Sequence, residues 1–182
     1  FNGEGKVLAK PDIAVISLSI VTKAATSEAA QDDNSKKSKA VTDYLKKQNI
    51  DDKDIKTTSY TIYPRYDYQN STYYVPGKQI LAGYVVSQTV EVKVRKMESA
   101  GAILTGIGEF GADNISGLTF TVDKQEDLSR DARDKAITDA RDQAKKLANA
   151  LGVSLGSITS FYESSPYQPM YYGKEMMVSA VG

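Results

Sequence analysis

The chain has 182 residues, the length of one ordinary domain, and carries 23 Lys and Arg against 23 Asp and Glu. It contains no Cys, His or Trp, which excludes catalytic pairs that need a thiol or an imidazole, zinc sites built from those groups, and disulfides. Zero formal net charge argues against a nucleic-acid-binding protein, which typically shows a basic excess. The composition favours a binding or assembly role over catalysis, and we expect no cofactor or metal ion.

The first predicted elements are a strand and a helix. In Ile13–Val21, apolar residues alternate with serines in period two, which is the pattern of a half-buried strand. Ser27–Gln48 has no Gly or Pro and begins next to a capping residue, Thr26 or Ser27, so it is predicted to be a helix.

Two further strands are predicted on either side of a loop. Thr57–Tyr68 and Ile80–Arg95 are rich in β-branched and aromatic residues, and the second alternates valines with polar residues. The segment from Asn70 to Gly77 between them has the composition of a loop. Long antiparallel strands joined in this way predict a projecting Tyr-rich hairpin over about residues 57–84.

The second half of the chain contains the most regular helical pattern. Met97–Phe110 is predicted to be a helix and Leu118–Val122 a short strand. In Gln125–Leu151, apolar residues that are mainly alanine recur every three or four positions, which predicts a long helix able to lie close to a sheet. Ser157–Glu163 is predicted to be another strand, and Lys174–Val181 is a candidate for the start of a last one.

These elements predict an α+β fold in a single domain over residues 1–182. We expect two layers, with helices covering a mixed, mainly antiparallel sheet, in the order β-α-β-β-α-β-α-β with an optional final strand. No stretch approaches the roughly 18 consecutive apolar residues that a membrane helix needs, so we do not expect the chain to span a membrane.

Four stretches of the sequence resemble the SIMPL-domain family, which includes the YggE-like and periplasmic immunogenic proteins of bacteria. In chain order, they are Gly3-Glu4-Gly5 with Lys10-Pro11-Asp12-Ile13-Ala14; Ile50 with Asp54-Ile55-Lys56-Thr57 and Tyr63-Pro64-Arg65-Tyr66; Gly111-Ala112-Asp113-Asn114-Ile115-Ser116-Gly117 with Phe120; and Ala132 through Ala148 to Leu151-Gly152-Val153-Ser154-Leu155-Gly156-Ser157-Ile158. Their common order over nearly the whole chain makes them more specific together than any one of them alone.

The resemblance implies a two-layer α+β domain that is usually exported to the periplasm or cell surface and often self-associates. Activity in the family is poorly defined, some members being linked to oxidative-stress defence or immunogenicity, and it offers no catalytic residue set to carry over. We therefore expect an extracytoplasmic protein. The chain opens at Phe1-Asn2-Gly3 without a basic or strongly apolar leader, so a signal peptide is either absent or already removed. The exported location that the resemblance implies leads us to expect removal.

Two short motifs have structural explanations. Gly3-Glu4-Gly5 is not followed by the Lys-Ser/Thr of a phosphate-binding loop, so we expect a turn or a bulge at the start of a strand. Asp51-Asp52-Lys53-Asp54 lacks the alternate acids, the Gly and the terminal Glu of a calcium loop. We expect a solvated turn between helix and strand there rather than a metal site.

Tyrosine is the unusual feature of the composition. Six of the 12 tyrosines lie between positions 60 and 74, and these are Tyr60, Tyr63, Tyr66, Tyr68, Tyr73 and Tyr74. Tyr offers a large rigid contact area with a polar tip, so these six residues are candidates for an interface. Ordinary packing along an exposed hairpin is the alternative, whereas stacking on bases would require a basic groove. Pro64 further predicts an edge strand or a bulge.

The leading hypothesis is a non-enzymatic, exported cell-envelope domain that self-assembles or binds an envelope protein partner through these tyrosines. The alternative is a small-ligand or peptide-binding module linked to stress defence, with its pocket between sheet and helices or beside the tyrosines. A third hypothesis is an enzyme that uses carboxylates with Tyr or Lys as acid and base, but no recognisable spacing brings two such groups together.

Overall fold

The computed structural model describes residues 1–69, 78–164, 170–172 and 175–181. The chain divides into two compact units: Phe1–Asp12 and Thr121–Gly182 form unit 1, and Ile13–Phe120 form unit 2. Unit 2 is thus one continuous stretch of sequence, whereas unit 1 combines both ends of the chain. Within the described residues, no helix is long and apolar enough to cross a bilayer.

Seven strands and three α-helices make up the described part of the chain. In chain order, they are β1 (Glu4–Ala9), β2 (Ile13–Ala24), α1 (Ser27–Lys47), β3 (Ile55–Gln69), β4 (Lys78–Val94), α2 (Ala100–Glu109), β5 (Asn114–Thr121), α3 (Gln125–Leu151), β6 (Met170–Tyr172) and β7 (Glu175–Val181). The strands form one sheet in the order β1-β7-β6 and another in the order β3-β4-β2-β5.

The core of unit 2 lies between its sheet and two helices. Strand β2 alternates as its sequence predicts, so that Ile16, Leu18 and Ile20 are buried while the serines between them are partly exposed. The same cluster includes valines of β4 and apolar residues of α1 and α2, among them Val41, Leu45, Ile103 and Ile107. The helices therefore cover one face of this sheet, and strand residues of opposite parity lie on the other face.

Helix α1 is held by a cap and by a hydrogen bond to the sheet. Thr26 Oγ1 accepts a hydrogen bond from the backbone N–H of Ala29 at 3.2 Å, which identifies Thr26 as the N-cap. The fully buried Asn34 donates from Nδ2 to the carbonyl oxygen of Ile20 at 3.0 Å. This bond fixes the helix along β2, because a buried amide left without partners would be costly.

Unit 1 contains α3 in close contact with β1 and β7. Strands β1 and β7 pair in even antiparallel register, from Glu4 opposite Val181 onwards. Gly5 lies directly against α3, where an added Cβ would come within 2.6 Å of the backbone nitrogen of Ala136 and closer still to the carbonyl oxygen of Ala132. The expected turn or bulge at Gly3-Glu4-Gly5 is therefore wrong, because the glycines instead allow a helix to approach a regular strand.

The structure confirms the predicted α+β class and several of its elements. Helix α3 begins and ends at the predicted residues, and Gly152 forms its left-handed C-cap with φ 67°. Strand β1 was not predicted, and the strands form two sheets rather than the single one expected. The strand predicted over Ser157–Glu163 is wrong, since that segment has no regular secondary structure. Strand propensity produces a strand only where a neighbouring strand supplies hydrogen bonds.

Candidate functional site

The hairpin formed by β3 and β4 extends past the rest of its sheet. Strand β2 pairs with β4 only as far as Ala24 opposite Tyr84, and Tyr84 in turn lies opposite Pro64 of β3. Beyond that point, among the described strands, β3 and β4 pair with each other alone. We call residues 65–69 and 78–83 the hairpin arm.

A β-bulge marks the start of the hairpin arm. The β3–β4 register skips Ala82, which is the additional residue of β4. The next residue, Gly83, has φ 141°, and an added Cβ there would collide with the carbonyl oxygen of Ala24. A side chain at this position is therefore excluded, and the bulge increases the twist with which the arm leaves the sheet.

The structure places four of the six candidate tyrosines on β3 with large exposed fractions. The values are 45% for Tyr60, 50% for Tyr63, 49% for Tyr66 and 74% for Tyr68. Because alternate residues of a strand face opposite sides, Tyr60, Tyr66 and Tyr68 share one face and Tyr63 lies on the other. The remaining candidates, Tyr73 and Tyr74, lie outside the described residues.

Apolar side chains of β4 extend the exposed surface across the hairpin arm. Leu81 lies directly opposite Tyr66 and is 48% exposed. Ile80, on the other face of the arm, is 43% exposed. Tyr68 accepts a hydrogen bond at its hydroxyl from Nε2 of Gln79, the residue opposite it. Both faces of the arm thus present large apolar groups to solvent, which is typical of an interaction surface.

Sequence reasoning missed Ile80 and Leu81 as members of this surface. Their placement opposite Asp67 and Tyr66 depends on the Ala82 bulge, which shifts residues 78–81 of β4 by one position relative to the rest of the strand. The dipeptide Ala82-Gly83, which precedes the valines of β4, is the one sequence signal of such a shift, because a glycine inside a strand often marks a bulge.

Strand β3 is the outer strand of its sheet, as Pro64 predicts. Within the described residues, one edge of β3 faces no neighbouring strand, so its backbone donors and acceptors can pair with another chain. Pro64 removes one of those donors and limits the length of uninterrupted pairing.

A polar groove of about 470 Å³ runs between α1 and the base of the hairpin. Its walls include Tyr60 and Gln88 from the sheet, and Lys39 and Asp43 from α1. Lys39 Nζ lies 2.9 Å from Oδ2 of Asp43, and this hydrogen bond lowers the pKa of the Asp43 carboxyl. Hydroxyl, amide and charged groups beside one aromatic ring could hold a small polar ligand.

The acidic motif at residues 51–54 forms the turn between α1 and β3, and its carboxylates pair with different cations. Asp52 lies 2.7 Å from Nζ of Lys46, which raises the pKa of that lysine. Asp54 is only 5% exposed and accepts two hydrogen bonds from Arg95, at 2.7 and 2.8 Å. Among the described residues, no group of three or more metal-ligating side chains comes together.

Comparison with known proteins identifies the family. The family model named SIMPL, described as a protein of unknown function (DUF541), matches residues 1–182. The chain belongs to the SIMPL family. The resemblance inferred from the sequence motifs is thereby confirmed, and no activity accompanies the description of the family.

Relatives of this SIMPL chain occur in several bacteria. It is 33% identical to the 26 kDa periplasmic immunogenic protein of Brucella melitensis over 170 residues, covering 93% of this chain and 68% of the relative. It is 31% identical over 169 residues to the uncharacterized protein YggE of Edwardsiella ictaluri, covering 92% of this chain and 69% of the relative. For the uncharacterized protein YggE of Escherichia coli K12, the identity is also 31% over 169 residues, covering 92% and 66% of the two chains.

Proposed function

We propose that this SIMPL chain is a non-enzymatic, extracytoplasmic domain that acts by self-assembly or by binding a cell-envelope protein through the hairpin arm. The observation that supports this proposal is that, among the described strands, the two strands of the arm pair only with each other, while Tyr66, Tyr68, Ile80 and Leu81 remain 43–74% exposed. The word periplasmic in the name of the Brucella relative supports the location.

An exposed two-stranded ribbon such as the hairpin arm gains stability when it docks on a partner. Two paired strands without a third are marginally stable in water, because too little apolar surface is buried between them. Docking on a partner would remove the exposed tyrosine and aliphatic groups from water and would bury both faces of the arm. Stable interfaces bury on the order of 800 Å² per partner. The outer edge of β3 could add backbone hydrogen bonds to such a contact.

The test replaces Tyr63, Tyr66 and Tyr68 together by Ser. If the chain self-assembles through the arm, the wild type has the mass of an oligomer by light scattering and the triple variant has the mass of a monomer. The matched control is Tyr162→Ser, since Tyr162 is 81% exposed and lies outside the hairpin. The control variant should keep the wild-type mass.

Two outcomes decide between the forms of the proposal. A wild-type oligomer whose mass is unchanged in a folded triple variant contradicts assembly through the arm. A monomeric wild type contradicts self-assembly, and the proposal then depends on binding a cell-envelope protein. In that case the wild type should retain an envelope protein from a periplasmic extract, and the triple variant should not. Circular dichroism of each variant shows whether it is folded.

The second candidate function is a small-ligand or peptide-binding module linked to stress defence, and the groove beside Tyr60 favours it. A polar ligand held there should raise the melting temperature of the wild type, and Tyr60→Ser should reduce that shift while Tyr68→Ser leaves it unchanged. A screen of sugars, amino acids and nucleotides in which no compound class stabilises the protein would argue against this function.

A further inference from the structure

A second surface feature of unit 2 lies on the opposite flank of α1 from the tyrosines. It is an open depression of about 720 Å³ beside the end of β2. The residues of its wall that matter here are Val21 and Lys23 of β2, Asp33, Lys36 and Lys37 of α1, and Asp113, which precedes β5.

The edge of β2 is uncovered at this depression. Asp113 donates its backbone N–H to the carbonyl oxygen of Ser19 at 2.9 Å, and β5 begins at the next residue. Ser116 then bonds the carbonyl oxygen of Ser17, so β5 runs from Ser19 towards the start of β2. Among the described strands, none therefore covers this edge of β2 from Val21 onwards.

Side chains take the place of a strand at Val21. The Val21 N–H donates to Oδ2 of Asp113 at 2.7 Å, and the Val21 carbonyl oxygen accepts from Nζ of Lys37 at 3.5 Å. The Asp113 carboxylate thus accepts a hydrogen bond where the carbonyl group of a neighbouring strand would, and the Lys37 ammonium donates one where the N–H of that strand would. Lys23 has the same parity as Ser19 and Val21, so its backbone N–H and C=O point towards the same open side.

Positive charge exceeds negative charge around this edge. The two carboxylates of the depression are matched by lysines, because Asp33 lies 3.4 Å from Lys36 and Asp113 lies 3.7 Å from Lys37. Within the described residues, Lys23 has no carboxylate within ion-pair distance. Thr22 is buried and bonds the helix backbone, which places Lys23 on the face of the sheet away from α1.

We propose that this edge binds an extended peptide segment that carries carboxylate side chains. Its backbone would add to β2 beside Lys23 as a further strand, in line with β5. Successive side chains of an added strand face opposite sides, so a carboxylate facing α1 would meet Lys36 and Lys37, and its neighbour would meet Lys23. This site is separate from the hairpin arm and does not depend on the proposed function.

The test uses fluorescence anisotropy with the labelled peptide Glu-Glu-Val-Glu-Glu. The wild type should bind it saturably, and replacing Lys23 and Lys36 together by Gln should weaken binding by about tenfold. The matched control is Lys39→Gln with Lys47→Gln, which removes the same charge from α1 outside the depression. The control should bind like the wild type, and so should the triple tyrosine variant, which separates this site from the hairpin arm.

A second peptide tests the strand itself. Methylating the backbone nitrogens of its Val and of the next Glu removes one donor on each side of the strand without changing the charge, so one of the two faces β2, and we expect this change to abolish most of the binding. Equal binding of the methylated peptide would refute strand addition, since charge alone would then account for the affinity. No binding of the acidic peptide to the wild type, or equal loss in the Lys39/Lys47 control, would refute the site.

Discussion

The contact between Gly5 and α3 gives a sharp test of how unit 1 is packed. A Cβ at Gly5 would lie 2.6 Å from the backbone nitrogen of Ala136, whereas real Cβ atoms keep at least 3.0 Å from other heavy atoms. The carbonyl oxygen of Ala132 is nearer still. Both blocking atoms belong to the helix backbone, so Gly5→Ala can be accommodated only if α3 and β1 move apart by roughly 1 Å.

The expected cost follows from overpacking. Inserting one methyl group into a well-packed site typically destabilises a protein by about 1–3 kcal/mol, and an obstacle that is backbone rather than side chain places Gly5→Ala near the upper end. For a chain of this size, a loss of about 2–3 kcal/mol corresponds to a melting temperature lower by roughly 6–10 °C. Thermal unfolding followed by circular dichroism, together with urea unfolding, measures both quantities.

Gly101 supplies the matched control. It lies in α2, and an added Cβ there meets no atom within 4 Å. Gly101→Ala should therefore stabilise unit 2 by about 0.5 kcal/mol, because it reduces the freedom of the unfolded chain without a clash. A Gly5→Ala variant as stable as the wild type would show that α3 does not lie against β1 in this way.

Two further predictions concern ion pairs of unit 2. Arg95→Ala should lower the free energy of unfolding in urea by about 2 kcal/mol, because it removes two charge-assisted hydrogen bonds from the buried Asp54. The control Lys53→Ala, in the same turn as Asp54, should change the free energy of unfolding little. Equal effects of the two substitutions would contradict the structural role of Arg95. The Lys39 hydrogen bond lowers the folded-state pKa of Asp43 below its ordinary value of 3.8, so its small stabilisation is present above that value and disappears as the pH falls through the folded-state pKa. The stability difference between wild type and Asp43→Asn should therefore shrink on acidification and in high salt, and a difference that grows at acidic pH would refute this sign.

Local patterns determine much of this fold. The helix over Gln125–Leu151 was predicted to the residue, because its alanine periodicity and the following Gly152 depend on local chemistry alone. The alternation of β2 was predicted for the same reason. Strand β1 was missed, since Glu4-Gly5-Lys6 has poor strand propensity and is held by pairing with β7, at the far end of the chain.

Long-range pairing explains what the sequence could not show. Ser157–Glu163 has the residues of a strand, yet none of the described strands pairs with it, and no strand forms there. For the candidate site, the sequence predicted the cluster of tyrosines and, from Pro64, the position of β3 at the edge of its sheet. The sequence did not predict that Ile80 and Leu81 belong to the same surface, because a single extra residue in β4, Ala82, fixes their register against β3.

The origin of unit 1 in both ends of the chain has a consequence for the order of folding. Residues 13–120 are contiguous and can fold as soon as they leave the ribosome. Strand β1 emerges before unit 2, but its partner β7 begins only at Glu175, so β1 must wait unpaired until unit 2 and α3 have been made. Closing so long a loop is entropically costly and slow. Strand β1 thus appears before unit 2 but finds its native neighbours after it, and during that interval it is available to chaperones.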